Sequence, residues 1–197
     1  MPKAPVASWR IDTPRLQLVA SDIALLPPVL DFYARNQAHF SPWDPPLPPD
    51  FISPRRQRQR LSQHRRAFAA GDAFRYWLLP HDDPSTVIGQ MHFSSIARGP
   101  FQSAMLGYQL DASHQGRGLM HEALLAGVAE MFSPRIGLHR LQAAHLPENR
   151  RSAAVLARLG FEREGVARRY LFIHGTWRDH VILALLNDAA APPPVPA

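Results

Sequence analysis

The residues best suited to chemistry lie in one stretch, Leu106-Gly107-Tyr108-Gln109-Leu110-Asp111-Ala112-Ser113-His114-Gln115-Gly116-Arg117-Gly118-Leu119-Met120. A strand pattern runs into a glycine-containing turn, and the turn opens a helix. A helix N-terminus presents unpaired N–H groups and the positive end of a dipole. Successive N–H groups in the preceding turn form a concave nest for an anion. Gly116 and Gly118 let a phosphate approach the backbone with no Cβ in the way, and Arg117 adds positive charge. On these grounds the segment is a diphosphate cradle. The bland alternative is a plain loop whose glycines serve only tight geometry, and a bare Gly-x-Gly does not decide between the two. The third glycine of a dinucleotide fingerprint is missing, and so is the Gly-Lys-Ser/Thr of a nucleotide triphosphate loop.

Other reactive side chains are sparse. The chain has no cysteine, which removes disulfides, thiolate metal sites and a Cys nucleophile together. Ten histidines occur without a His-Glu-x-x-His or a close Asp/His grouping, so no metal site is expected. Glu148, His92 and His145 are candidate bases, although a structural or exposed role is the expectation for each. Residues 55–66 hold six arginines, from Arg55 to Arg66, on a helical pattern. They suit RNA phosphates or an ordinary solvated face, and the absence of interleaved aromatics favours the solvated face.

The elements that must position these groups can be read from periodicity and punctuation. Residues 15–19 alternate as a strand, and Asp22 can cap the helix that follows. Pro27-Pro28 should shorten or kink that helix. Residues 41–54 form a proline-rich loop. Ser53-Pro54 then starts the arginine-rich helix, which Gly71 ends. Strands are expected over 74–79 and 87–96, joined by the turn at 81–85, and a third over 104–110. A helix over 118–132 stops at Ser133-Pro134, and a strand over 138–145 follows. Asn149 can cap a short amphipathic helix that ends at Gly160. Two long strands, 161–173 and 177–186, meet at His174-Gly175. Residues 1–12 read as a loose arm, 13–187 as a single domain and 188–197 as a disordered Pro/Ala-rich tail.

Context decides what the glycine turn is for. Gln115-x-x-Gly118-x-Met120 resembles the pyrophosphate loop of the GNAT superfamily of N-acetyltransferases, although Met120 departs from the small residue of the broad pattern. Gly-Arg-Gly-Leu-Met followed by Glu122-Ala123-Leu124 is similar to the version in RimJ-type ribosomal-protein alanine N-acetyltransferases. Thr13-Pro14-Arg15-Leu16, Pro42-Trp43, Leu106-Gly107-Tyr108, Asn149-x-Arg151-Ser152, 156–162 and Gly175-x-Trp177-Arg178-Asp179-His180 match that family in order and spacing. The resemblance covers about residues 13–187.

It implies an α+β GNAT fold, a mixed and mostly antiparallel sheet of about seven strands with helices on both faces. The sheet would be splayed between the fourth and fifth strands, 104–110 and 138–145. The pantetheine of acetyl-CoA would lie in that split against the main chain of Tyr108, Gln109 and Leu110, like an added strand. Its diphosphate would sit on Gln115, Gly116, Arg117, Gly118, Leu119 and Met120. By the same resemblance Asn149 would bond the pantetheine or the acceptor, and Ser152 would hydrogen-bond near the thiolate. Asn149 remains equally readable as a helix cap, and Tyr108 as either a thioester-polarising hydroxyl or packing. For Glu122, in the first turn of the cradle helix, complementing the dipole is the expectation. Asp179 is expected to anchor the final hairpin.

A net charge of +6, from 21 Arg and one Lys, favours phosphorylated partners. The start of the chain lacks a signal-peptide profile and no apolar run approaches the roughly 18 residues of a membrane span, so a cytoplasmic location and no membrane partner are expected. The acceptor implied by the resemblance is a protein N-terminus, the N-terminal Ala of a ribosomal protein. An α-amine with pKa ~7.7–8.0 is partly neutral at physiological pH, whereas a lysine amine is not, which suits a site without an obvious strong base. A small-molecule amine is the alternative acceptor, and a non-catalytic acyl-CoA or RNA-binding module the alternative class.

Overall fold

The computed structural model describes residues 9–190. The chain runs β1 (Arg10–Asp12), β2 (Leu16–Ala20), α1 (Leu26–Phe40), α2 (Pro54–Ala70), β3 (Phe74–Pro80), β4 (Gly89–Ala97), β5 (Ser103–Leu110), α3 (Leu119–Phe132), β6 (Arg140–His145), α4 (Arg150–Arg158), β7 (Glu162–Ile173) and β8 (Thr176–Leu186). The strands form one sheet in the order β1-β2-β3-β4-β5-β6-β8-β7. Every neighbouring pair is antiparallel except β5 with β6.

Period-2 alternation gives the sheet two apolar faces. Phe74, Tyr76 and Leu78 of β3 enter a core with Met91, Leu106, Leu124 of α3 and Leu156 of α4. Trp77 and Leu79, pointing the other way, enter a second core with Phe32 of α1 and Leu61 of α2. The helices therefore cover both faces, as the resemblance implied.

Local signals account for the element ends. The side chain of Ser53 accepts from Arg56 N at 3.2 Å at the start of α2, and Gly71 closes it with φ 79°. Three expectations change. Arg10–Asp12 is a strand, paired to β2 from Arg10↔Val19 to Asp12↔Gln17, so the sheet has eight strands and the arm of 1–12 is in part structural. Asp22 caps a short 3₁₀ turn, Ile23–Leu25, ahead of α1. Pro27 and Pro28 then lie in the first turn of α1, where no intrahelical N–H bond is lost, so they begin the helix without shortening or kinking it. In the expected tail, Ala190 N donates to Asn187 O at 3.0 Å, and residues 191–197, like 1–8, lie outside the described residues.

The six arginines of α2 do not share one surface. Arg56 pairs with Asp50 and Arg65 with Asp22, while Arg60 turns inward over the ring of Phe51 at 4.4 Å. Arg55, Arg58 and Arg66 face outward. That is the pattern of a solvated helix.

Candidate active site

The parallel pair β5–β6 holds only from Ser103↔Arg140 to Leu106↔Ala143. Beyond it the strands diverge, and the β6-facing edge of β5 is unpaired by the sheet from Gly107 to Leu110. A bare strand edge accepts an extended, amide-bearing chain as it would another strand. The expected splay is present, between the strands that the sequence indicated.

The turn beyond β5 is built from both ends. Asp111 accepts from Ser113 N at 2.9 Å, from Arg35 Nε at 2.6 Å and from Asn36 Nδ2 at 2.9 Å. Asn36 Oδ1 in turn accepts from Ala112 N at 3.0 Å, so α1 locks the turn's first residues. These hydrogen bonds outweigh burial and hold the Asp111 carboxyl well below the usual carboxylate range. Gly116 and Gly118 adopt φ of 75° and 74°, a region costly for residues with a Cβ. A Cβ on Gly116 would meet nothing within 4 Å, so the nest faces open space. Glu122 does more than complement the dipole. It accepts from Thr13 Oγ1 at 2.7 Å, Arg15 N at 2.8 Å and Arg15 Nε at 2.6 Å, tying the entry of β2 to the start of α3.

Two cavities flank this turn and the split. One, of about 700 Å³, runs from Gln115, Gly116, Gly118, Leu119 and Met120 along Gln109 and Leu110 to Asn149 and Ser152. The other, of about 780 Å³, lies under the proline-rich loop and reaches β3, β4 and the β7–β8 hairpin. They meet at Asp44, Tyr108, Gln109, Asn149 and Ser152, beside the rings of Phe40 and Trp43.

At that junction Asn149 caps α4, its Oδ1 accepting from Ser152 N at 3.1 Å, while the residue lines both cavities. Capping and a site role are thus compatible. Tyr108 Oη and Ser152 Oγ share a hydrogen bond of 2.6 Å, so the phenol is directed by α4. Burial pushes its pKa up to about 12. The Gln109 amide receives Gln90 Nε2 on its oxygen and gives its own N–H to Asp44. Burial pushes the Asp44 carboxyl up to about 6, with the Gln109 hydrogen bond opposing the shift.

Most sequence-derived site residues converge here. Arg117 does not line either cavity: it is exposed, and its carbonyl accepts from Arg15 Nη1 at 2.9 Å. Arg150, Arg151 and Arg158 line the first cavity in its stead. Arg151 and Arg158, seven residues apart, share a face of α4, a spacing that the sequence displayed. Asp44 had no such signal inside its proline-rich loop. Among the candidate bases, Glu148 is paired with Arg178, and its carboxyl is held below the usual range first by a backbone hydrogen bond and then by that pairing. His145 is buried with Nδ1 2.8 Å from Leu146 O. The ring of His92 lies over Gly107, where a Cβ would come within 2.5 Å of it. Asp179 accepts from Arg169 N at 2.8 Å within the irregular part of β7, anchoring the hairpin as expected. Among the described residues no group of three His, Asp or Glu could hold a metal ion, and no helix is long and apolar enough to cross a membrane.

Comparison with known proteins gives the same picture. The family model for the acetyltransferase (GNAT) domain matches residues 15–162. The [Ribosomal protein uS5]-alanine N-acetyltransferase of Escherichia coli is 41% identical over 162 residues, which is 82% of each chain. The crystal structure of the ribosomal-protein-S5-alanine acetyltransferase from Vibrio fischeri superposes with a TM-score of 0.89 at 33% identity, covering 94% of this chain and 100% of that one. RimJ of Mycobacterium smegmatis, solved with CoA-disulfide, superposes with a TM-score of 0.82 at 28% identity, covering 88% and 82%.

Proposed function

This chain belongs to the GNAT acetyltransferase family and is an acyltransferase; on that premise we propose that it moves the acetyl group of acetyl-CoA to the α-amine of a protein N-terminus. The N-terminal Ala of a ribosomal protein is the acceptor that the E. coli and V. fischeri relatives suggest, and the cytoplasm the corresponding location. The observation that carries the reading is the meeting of two cavities at one polar cluster. One cavity has the nest and strand edge that suit a diphosphate and a pantetheine arm, and the other has room for a peptide.

The chemistry follows from the groups at the junction. The amine nitrogen attacks the thioester carbonyl, an N–C bond forms, the C–S bond breaks and the thiolate leaves. Asp44 takes the proton that the amine sheds. For an α-ammonium of pKa ~8, transfer to a carboxyl at about 6 is uphill by ~2 units, against ~4 for an ordinary Asp, so burial makes this step less unfavourable. Tyr108, aligned by Ser152, donates a hydrogen bond to the developing negative charge. It keeps its proton, since transfer from a phenol near 12 to a thiolate of pKa ~8.5 would be uphill by roughly 5 kcal/mol. The thiolate is protonated from solvent or from Asp44 once that carboxylate has taken up the amine's proton.

A peptide beginning with Ala should be acetylated from acetyl-CoA with intersecting initial-rate lines, as a ternary complex requires. The same peptide with a blocked N-terminus and a free internal Lys should not react. Turnover of polyamines or aminoglycosides without any N-terminal peptide would overturn the acceptor reading.

A further inference from the structure

The floor of the second cavity carries a charge imbalance that acetyl transfer does not use. Arg75 of β3 and Arg60 of α2 both line it, next to Gln90 and His92 of β4. Arg75 Nη1 is buried with no hydrogen-bond partner, and so are His92 Nδ1, His64 Nδ1 and Gln90 Oε1. No carboxylate pairs with Arg75 or Arg60 among the described residues; Arg60 bonds Gln57 Oε1 at 3.3 Å and stacks over Phe51 and Tyr33. Burial, reinforced by the two arginines, pushes His64 down to about 2 and His92 down to about 3, so both rings are neutral. Two guanidinium charges therefore share one cavity wall with no carboxylate opposite them among the described residues. A partly buried guanidinium without a counter-ion is unfavourable, and a ligand carboxylate would complete the pair.

We propose that Arg75 and Arg60 form a carboxylate-binding subsite in the acceptor cavity, and that it receives an acidic side chain within the first four residues of the acceptor peptide. This rests on the acceptor reading above and narrows it. A planar guanidinium recognises carboxylate in a bidentate fork. The register sets the reach. Arg75 pairs with His92 and His92 with Gly107, so the backbones of Arg75 and Gly107 are about 10 Å apart across two strand spacings. Gln109, at the junction, is two residues further along β5, or about 12 Å from Arg75. The arginine side chain covers part of that span, and two or three extended residues of acceptor cover the rest. The α-carboxylate of a free amino acid, one carbon from its amine, cannot reach both ends.

The test uses paired peptides that begin with Ala and differ only in Glu against Gln at position 2, 3 or 4. The wild-type enzyme should show at least a tenfold higher kcat/KM, mostly through KM, for the Glu member at one of these positions. Arg75→Met should bring that ratio near one, and Arg75→Lys should restore part of it. The ratio is internal to each variant, so a smaller folded fraction lowers both rates together and leaves it readable. Equal kcat/KM for Glu and Gln peptides at all three positions overturns the subsite. Arg75-dependent turnover of free amino acids alone would keep a carboxylate site but assign it to the α-carboxylate, which refutes the peptide reading on which this one rests. Turnover confined to amines without a carboxylate refutes both.

Discussion

Replacing Asp44 by Asn separates its charge from its hydrogen bond, because an amide oxygen still accepts from Gln109 Nε2. The carboxyl sits at about 6 in the fold against an ordinary 3.8, with burial as the leading cause. A group whose folded pKa is raised binds its proton more tightly in the folded state. Its stabilising contribution is complete below 3.8 and lost as pH rises through about 6, leaving a buried charge at neutral pH. About two units correspond to about 3 kcal/mol, which solvent at a partly exposed side chain reduces to about 1–2 kcal/mol. At pH 7.5 Asp44→Asn should therefore raise Tm by about 2–8 °C, and the gain should shrink toward pH 4. The same change removes the proton acceptor, so kcat/KM should fall about 10²–10⁴-fold and the wild-type loss of activity below pH 6 should disappear. Thermal unfolding at several pH values, together with pH–rate profiles on one peptide, reads both effects. A variant as active as wild type that keeps the acid limb near 6 would remove Asp44 from the chemistry. Lost activity with no gain in Tm would show that the carboxylate bears no burial penalty, and that the argument for its basicity is wrong.

The donor cavity and the junction supply two more tests. Gly118→Asp forces φ of 74° on a residue with a Cβ and sets a carboxylate beside Arg15 at the nest. Acetyl-CoA at a hundred times its Kd should stabilise the wild type by about 2.7 kcal/mol, and the variant should show no such shift in Tm; an undiminished shift would refute the diphosphate site. Ser152→Ala removes the 2.6 Å partner of Tyr108, so kcat should fall about 10–100-fold while the KM for acetyl-CoA changes much less. A parallel rise in KM with kcat intact would make Ser152 a binding residue only.

The chain's local chemistry was legible in advance because it acts over three or four residues. Ser53, Gly71 and Asn149 end or begin helices through bonds to neighbours in sequence, and Gly116 and Gly118 serve backbone angles that most residues with a Cβ adopt only at a cost. The alternation of residues 15–19 likewise foretold the strand β2, and ordered motifs over most of the chain foretold the split sheet. What tertiary structure decided is where charge ends up. Tyr108 meets Ser152 across 44 residues and Gln109 meets Asp44 across 65. The pKa of Asp44 is set by the groups that bury it, which is a property of packing and not of its proline-rich surroundings in sequence. Arg117, conspicuous beside two glycines, is exposed and does not line the cavity, while Arg158 of α4 does. The solitude of Arg75 is the clearest case. A missing partner is a fact about everything folded around a side chain, and no window of sequence contains it.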